Sequence, residues 1–88
     1  MSEQPTRHQL SDWLREFIGV HLDVPAEEVA LDLPLGSLGV DSATTLVLAA
    51  DLTALLRREI RPAEIFEHPS IEKLAAHLTS PVTQEAAA

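Results

Sequence analysis

Residues 36–58 read GSLGVDSATTLVLAADLTALLRR. Two glycines lead into an Asp-Ser pair, and an apolar run of helix length starts immediately after it. Asp is a strong N-cap because its carboxylate accepts from the unpaired amides of the first turn. With Asp41 as cap, Ser42 becomes the first helical residue and its hydroxyl is not needed for capping. Gly39 permits a tight turn into the helix. A serine side chain placed there projects into solvent beside amides that favour an anion. Plain helix capping is the commoner reading of the dipeptide taken alone, so its meaning depends on what surrounds it.

Wound at about 100° per residue, SATTLVLAADLTALLRR (42–58) gathers Leu46, Leu48, Ala49, Leu52, Leu55 and Leu56 on one arc, the expected core face. The opposite arc carries Ala43, Val47, Ala50 and Ala54, flanked by Thr44, Asp51 and Arg58. Arg57 and Arg58 suit the negative end of the helix dipole.

Upstream, Thr6 and Gln9 have capping-box spacing. Leu10, Trp13, Leu14, Phe17 and Ile18 then follow as one apolar stripe of a helix that ends near Leu22, weakened by Gly19 and stopped ahead of Pro25. Residues 23–41 read as a long loop with a helical turn at 26–29, pinned by Val29, Leu31, Leu33, Leu35 and Leu38. The alternation in LDLPL suggests a strand, but Pro34 interrupts it and no partner strand is in view. Loops of this length in small domains usually carry function. Downstream, Pro62 opens a short helix with Ile65 and Phe66 turned inward, His68-Pro69 stops it, and Ser70 caps IEKLAAHL. The expected fold is all-α, a small four-helix bundle of three main helices and one short one. Residues 6–79 form its single domain, between flexible termini at 1–5 and 80–88.

Composition narrows the chemistry. The 88 residues suit one domain with a modest core, and three aromatics leave that core aliphatic. A net charge of −8 argues against nucleic acid or an anionic membrane as partner. No cysteine is present, which excludes disulfides and thiolate metal sites and leaves the chain without a thiol of its own. His8, His21, His68 and His77 show no metal spacing, and His77 with Lys73 reads as solvated surface. No base is tied to Ser42, so a reactive Ser42 needs activation by another protein, and an enzyme is not expected. No stretch has the length of a membrane span and the start is no secretory signal, so a cytoplasmic monomer is expected.

The stretch LGVDS, the helix after it, and IRPAEIFEHPSIEKLAAHL together resemble the phosphopantetheine carrier proteins. These are the acyl carriers of fatty acid and polyketide synthesis and the peptidyl carriers of nonribosomal peptide synthesis. The family pattern G-x-D-S is Gly39-Val40-Asp41-Ser42. Its second signature, an aromatic followed after two residues by Pro, Ser or Thr, and an apolar residue, is Phe66-Glu67-His68-Pro69-Ser70-Ile71. The resemblance runs from Leu10 to Leu78 and implies the acyl-carrier-protein fold. It implies that Ser42 bears 4'-phosphopantetheine, transferred from coenzyme A by a phosphopantetheinyl transferase with Mg2+. Asp41 would help that transferase recognise the site. The arm would end in a thiol carrying a biosynthetic intermediate as a thioester, in polyketide or hybrid polyketide/nonribosomal peptide synthesis.

Partners implied by the resemblance are the transferase, an acyl- or aminoacyl-loading ligase or acyltransferase, and downstream synthases. Recognition by them is expected at Asp41, Ala43, Val47, Ala50, Asp51, Ala54, Glu64 and Glu67. Ala43 departs from the family, which usually has Leu, Met or Ile there. The helix at 42–58 also lacks the acids that fatty acid carriers display, which implies a more apolar contact. LGVDS is closer to polyketide acyl carriers and residues 60–71 to peptidyl carriers, so an aminoacyl cargo is the alternative. A small helical interaction domain with no prosthetic group is a second alternative. The initial Met and the single domain favour a free-standing carrier over an excised one.

Overall fold

The computed structural model describes residues 4–79, which form α1 (Arg7–Leu22), a 3-10 turn (Ala26–Glu28), α2 (Leu35–Leu38), α3 (Ser42–Leu56), α4 (Pro62–Glu67) and α5 (Ile71–Leu78). The termini expected to be flexible lie outside the described residues at 1–3 and 80–88. Gln4 is described, and its Nε2 donates to Leu56 O at 3.5 Å.

Local chemistry sets the helix ends. The Gln9 N–H donates to Thr6 Oγ1 at 3.1 Å while the Thr6 N–H donates to Gln9 Oε1 at 2.9 Å, completing the capping box. α1 closes on Asp23, which takes the left-handed conformation at φ 63°. α3 stops at Leu56, two residues before Arg58, because Arg57 turns left-handed at φ 59°. Pro62 opens α4, where a missing N–H costs nothing, and Ser70 Oγ accepts from the Lys73 N–H to cap α5.

The fold class is as expected, with one more helix. LGSL (35–38) is helical, not loop: Pro34 is extended ahead of it and Gly39, at φ 105°, ends it. No strand forms among the described residues. LDLPL instead hydrogen-bonds to the α4–α5 turn and the start of α5, with Leu35 N–H donating to Pro69 O (2.6 Å) and Glu72 N–H to Leu31 O (3.0 Å). Its alternation is therefore an edge that meets a loop. Val29, Leu35 and Val40 are buried and anchor the segment, whereas Leu31 and Leu33 are exposed. Arg15 holds the 3-10 turn from α1, donating to Ala26 O (3.2 Å) and Glu27 O (3.1 Å).

The core joins Leu10, Leu14, Phe17 and Ile18 of α1 to Leu48, Ala49, Leu52 and Leu56 of α3. Ile65 and α5's Ile71, Leu74, Ala75 and Leu78 complete it. Trp13 is half-buried and stacks on Phe17, with ring centroids 5.6 Å apart. Two expectations about inward faces fail. On α3, Leu46 is 60% exposed and Leu55 is exposed, while Thr45 is buried. α3 is apolar nearly all round, so periodicity alone cannot choose its inner arc. On α4, Ile65 is buried but Phe66 is 61% exposed, since six residues present only one narrow face to the core.

Candidate functional site

The site begins with a turn. At φ 105° Gly39 occupies a region that side chains resist, and a Cβ there would lie 3.3 Å from Leu22 Cδ2. Val40 is buried directly afterwards, which fixes the direction of entry into α3. Asp41 is extended, and its Oδ1 accepts from the Thr44 N–H at 2.9 Å. The Thr44 N–H and hydroxyl hold the Asp41 carboxyl below its ordinary value of 3.8. Beneath the cap, Thr45 Oγ1 donates to Asp41 O at 2.9 Å, so a buried hydroxyl ties the entry to the first turn.

Ser42 is therefore the first residue of α3, exposed, with capping done by its neighbour. The N–H groups that open a helix have no acceptor within it, and their dipoles favour an anion beside them. A phosphodiester on Ser42 fits these surroundings: the hydroxyl is spare, accessible, and set next to donors. The histidines are engaged elsewhere and none serves Ser42 as a base. His21 Nδ1 pairs with Phe17 O at 3.0 Å, and His68 and His77 stack on one another. Among the described residues no cluster of three or more His, Asp or Glu is placed to hold a metal ion.

The expected recognition residues separate into two groups. Ala43, Val47, Ala50, Asp51 and Ala54 are all on the outer side of α3, joined by Leu46. On α4, Glu67 is exposed beside Phe66. Glu64 is different. Its Oε1 lies 3.0 Å from His77 Nε2, and its Oε2 accepts from the Arg61 N–H at 3.2 Å. Burial pushes the Glu64 carboxyl up, but His77, the Arg61 amide and the Arg58 charge outweigh it and hold the group below its ordinary value of 4.5. Glu64 is thus engaged within the fold, unlike the exposed Glu67. Phe66, expected in the core, joins the outer surface instead. An aromatic in a helix too short to bury two adjacent residues is the one hint of its exposure that the sequence offers.

A family model described as "Phosphopantetheine attachment site" matches residues 12–78. One component of the phenolphthiocerol/phthiocerol polyketide synthase of Mycobacterium tuberculosis is 39% identical over 72 residues, which is 82% of this chain and 4% of that protein. The chain thus spans a small fraction of the length of the curated relatives it matches. Among solved structures, a free-standing peptidyl carrier protein from Acinetobacter baumannii superposes with a TM-score of 0.81 at 28% identity, covering 85% of this chain and 94% of that one. The acyl carrier protein LipD from Actinoplanes friuliensis gives a TM-score of 0.71 at 37% identity, covering 91% and 92%.

Proposed function

Since the chain belongs to the phosphopantetheine attachment-site family of carrier proteins, we propose that Ser42 is the residue carrying the 4'-phosphopantetheine arm, within a carrier domain at residues 6–79. The observation that carries this reading is the division of labour at the start of α3. Asp41 caps the helix, and Ser42 is left exposed with a hydroxyl the fold does not use.

Ser42 Oγ forms the new bond to the phosphorus of coenzyme A's phosphopantetheine phosphate. The pyrophosphate P–O bond breaks, adenosine 3',5'-bisphosphate departs, and the serine proton passes to a base of the transferase. That base must come from the transferase because the described residues offer none at Ser42. Once attached, the arm supplies the thiol that this cysteine-free chain lacks and holds the cargo as a thioester. The first-turn amides of α3 then face the phosphodiester, an interaction worth about 0.3–1 kcal/mol at a solvated helix end. Asp41 fixes the geometry of that turn and marks it for the transferase. This chain performs no catalysis in the scheme. It works as a monomer in the cytoplasm, where coenzyme A is available to it.

Curated relatives include polyketide synthases, which supports an acyl cargo loaded by a ligase or acyltransferase and passed to synthase enzymes. An aminoacyl cargo is the second reading; a peptidyl carrier and an acyl carrier protein share the fold almost equally, at TM-scores of 0.81 and 0.80. Partner enzymes dock on Ala43, Val47, Ala50, Asp51 and Ala54 of α3 and Glu67 of α4. With exposed Leu46 and Phe66 alongside, this face asks for an apolar surface opposite more than a basic one.

The test is incubation with coenzyme A, Mg2+ and a broad-specificity phosphopantetheinyl transferase, followed by intact-mass measurement. Wild type should gain one phosphopantetheine and Ser42→Ala none. A folded wild type that stays unmodified leaves only a helical interaction domain. Val47→Glu, at an exposed position, should keep the fold and slow turnover with the loading enzyme. Turnover at the wild-type rate would remove the apolar contact.

A further inference from the structure

α4 is only six residues long and carries the most exposed aromatic of the domain, Phe66, at 61%. A helix that short has little stability of its own and depends on what holds it. Packing of Ile65 into the core supplies one attachment. The second comes from the polar side of α5, through His77. His77 Nε2 lies 3.0 Å from Glu64 Oε1, at the third residue of α4. The same imidazole stacks on His68, the residue that caps the far end of α4, with centroids 3.9 Å apart and planes inclined by 14°. The His68 N–H in turn donates to Glu64 O and Ile65 O, each at 3.2 Å. Glu64 closes the arrangement by accepting from the Arg61 N–H at the start of the helix. One ring of α5 thus grips both ends of α4, while Phe66 and Glu67 face outward between them.

We propose that His77 is a positioning residue, which sets the orientation of α4 and thereby the presentation of Phe66 and Glu67 to enzymes acting at Ser42. The recognition half of this rests on the carrier reading; the clamp itself does not. His77 touches neither Ser42 nor its expected partners. Its effect runs through Glu64 and His68. The imidazole contributes two separable contacts, a hydrogen bond to the carboxylate and a face for His68, and only an aromatic ring with a nitrogen at this position provides both. Because the side chains of His77 and Glu64 are 34% and 16% exposed, removing the ring leaves no buried cavity, and variants should fold.

Wild type, His77→Ala, His77→Gln and His68→Ala are compared by amide hydrogen exchange at a temperature where all are folded. His77→Ala should speed exchange of the α4 amides by roughly tenfold while leaving the α1 amides of Leu14 and Phe17 unchanged. His77→Gln retains a donor for Glu64 and should restore part of the protection. His68→Ala should loosen the end of α4 more than its start. In the transferase reaction at Ser42, His77→Ala should raise KM by about three- to tenfold and leave kcat intact, with Gln intermediate. Exchange in α4 within about twofold of wild type overturns the clamp. Faster exchange with an unchanged KM overturns the role in recognition, as does a loss of rate that tracks the unfolded fraction alone. If wild type takes up no phosphopantetheine, the carrier reading and the recognition role fall together, while the exchange data still decide the clamp.

Discussion

Gly19→Ala should destabilise this domain, against the ordinary expectation for a helix interior. Ala is favoured over Gly there by about 0.8–1 kcal/mol, so propensity alone predicts a more stable α1. In the fold, Gly19 is buried where the chain doubles back. The Gly19 carbonyl accepts from the N–H groups of Asp23 and Val24, the latter at 2.9 Å, which seals the end of the helix. A Cβ on Gly19 would stand 2.7 Å from Val24 O and 3.4 Å from Ala26 Cα. The first distance is below any real contact, and the obstacle is backbone held by the bond to Gly19 itself. Relief requires moving residues 24–26, which also carry the carbonyl that Arg15 grips. Overpacking of this kind costs about 1–3 kcal/mol, and weakening the Val24 hydrogen bond adds roughly 1 kcal/mol. Against the propensity gain, the net loss is about 1–3 kcal/mol, or roughly 5–15 °C in Tm for a domain of this size. Thermal and urea unfolding of Gly19→Ala beside wild type measure it directly. A variant as stable as wild type would refute the reasoning, since it would mean that the close approach of Val24 to α1 is not a feature of the native fold.

Two further outcomes follow from particular hydrogen bonds. Thr53 Oγ1 accepts from the Ile60 N–H at 2.9 Å and donates to Ala49 O at the same distance, joining the end of α3 to the connection before α4. Thr53→Val orphans that amide and should cost about 1–3 kcal/mol, more than Thr45→Val, because Asp41 O still receives the Thr45 N–H at 2.9 Å; urea midpoints of the two variants rank them, and the reverse order would be inconsistent with these bonds. Glu64 is held below its ordinary value of 4.5 in the fold, so its contribution is fully present above that pH and is lost as pH falls through the lower folded value. Glu64→Gln should therefore reduce stability at neutral pH and flatten the acid limb of a Tm-against-pH curve, and an unaltered acid limb would show that the carboxylate is not engaged by His77, Arg61 and Arg58.

The parts of this protein that local chemistry dictates are legible in its residues. The Thr6–Gln9 box, Asp41, Pro62 and Ser70 each mark a helix start, because a cap acts on amides within three residues of itself. Ser42 falls at its position by the same short-range logic. What only the tertiary structure decided lies at longer range. α3 is apolar around its circumference, so the choice of Thr45 over Leu46 for the interior was made by where α1 and α5 sit, not by the helix. Leu31 and Leu33 have the pattern of anchors, but backbone hydrogen bonds to the α4–α5 turn and the start of α5 take over that role. Glu64 and His77 are thirteen residues apart, and nothing in their spacing announces a contact. The turn at His68–Ser70 brings them together, because the direction in which one short helix leaves another is set by packing, which no local pattern encodes.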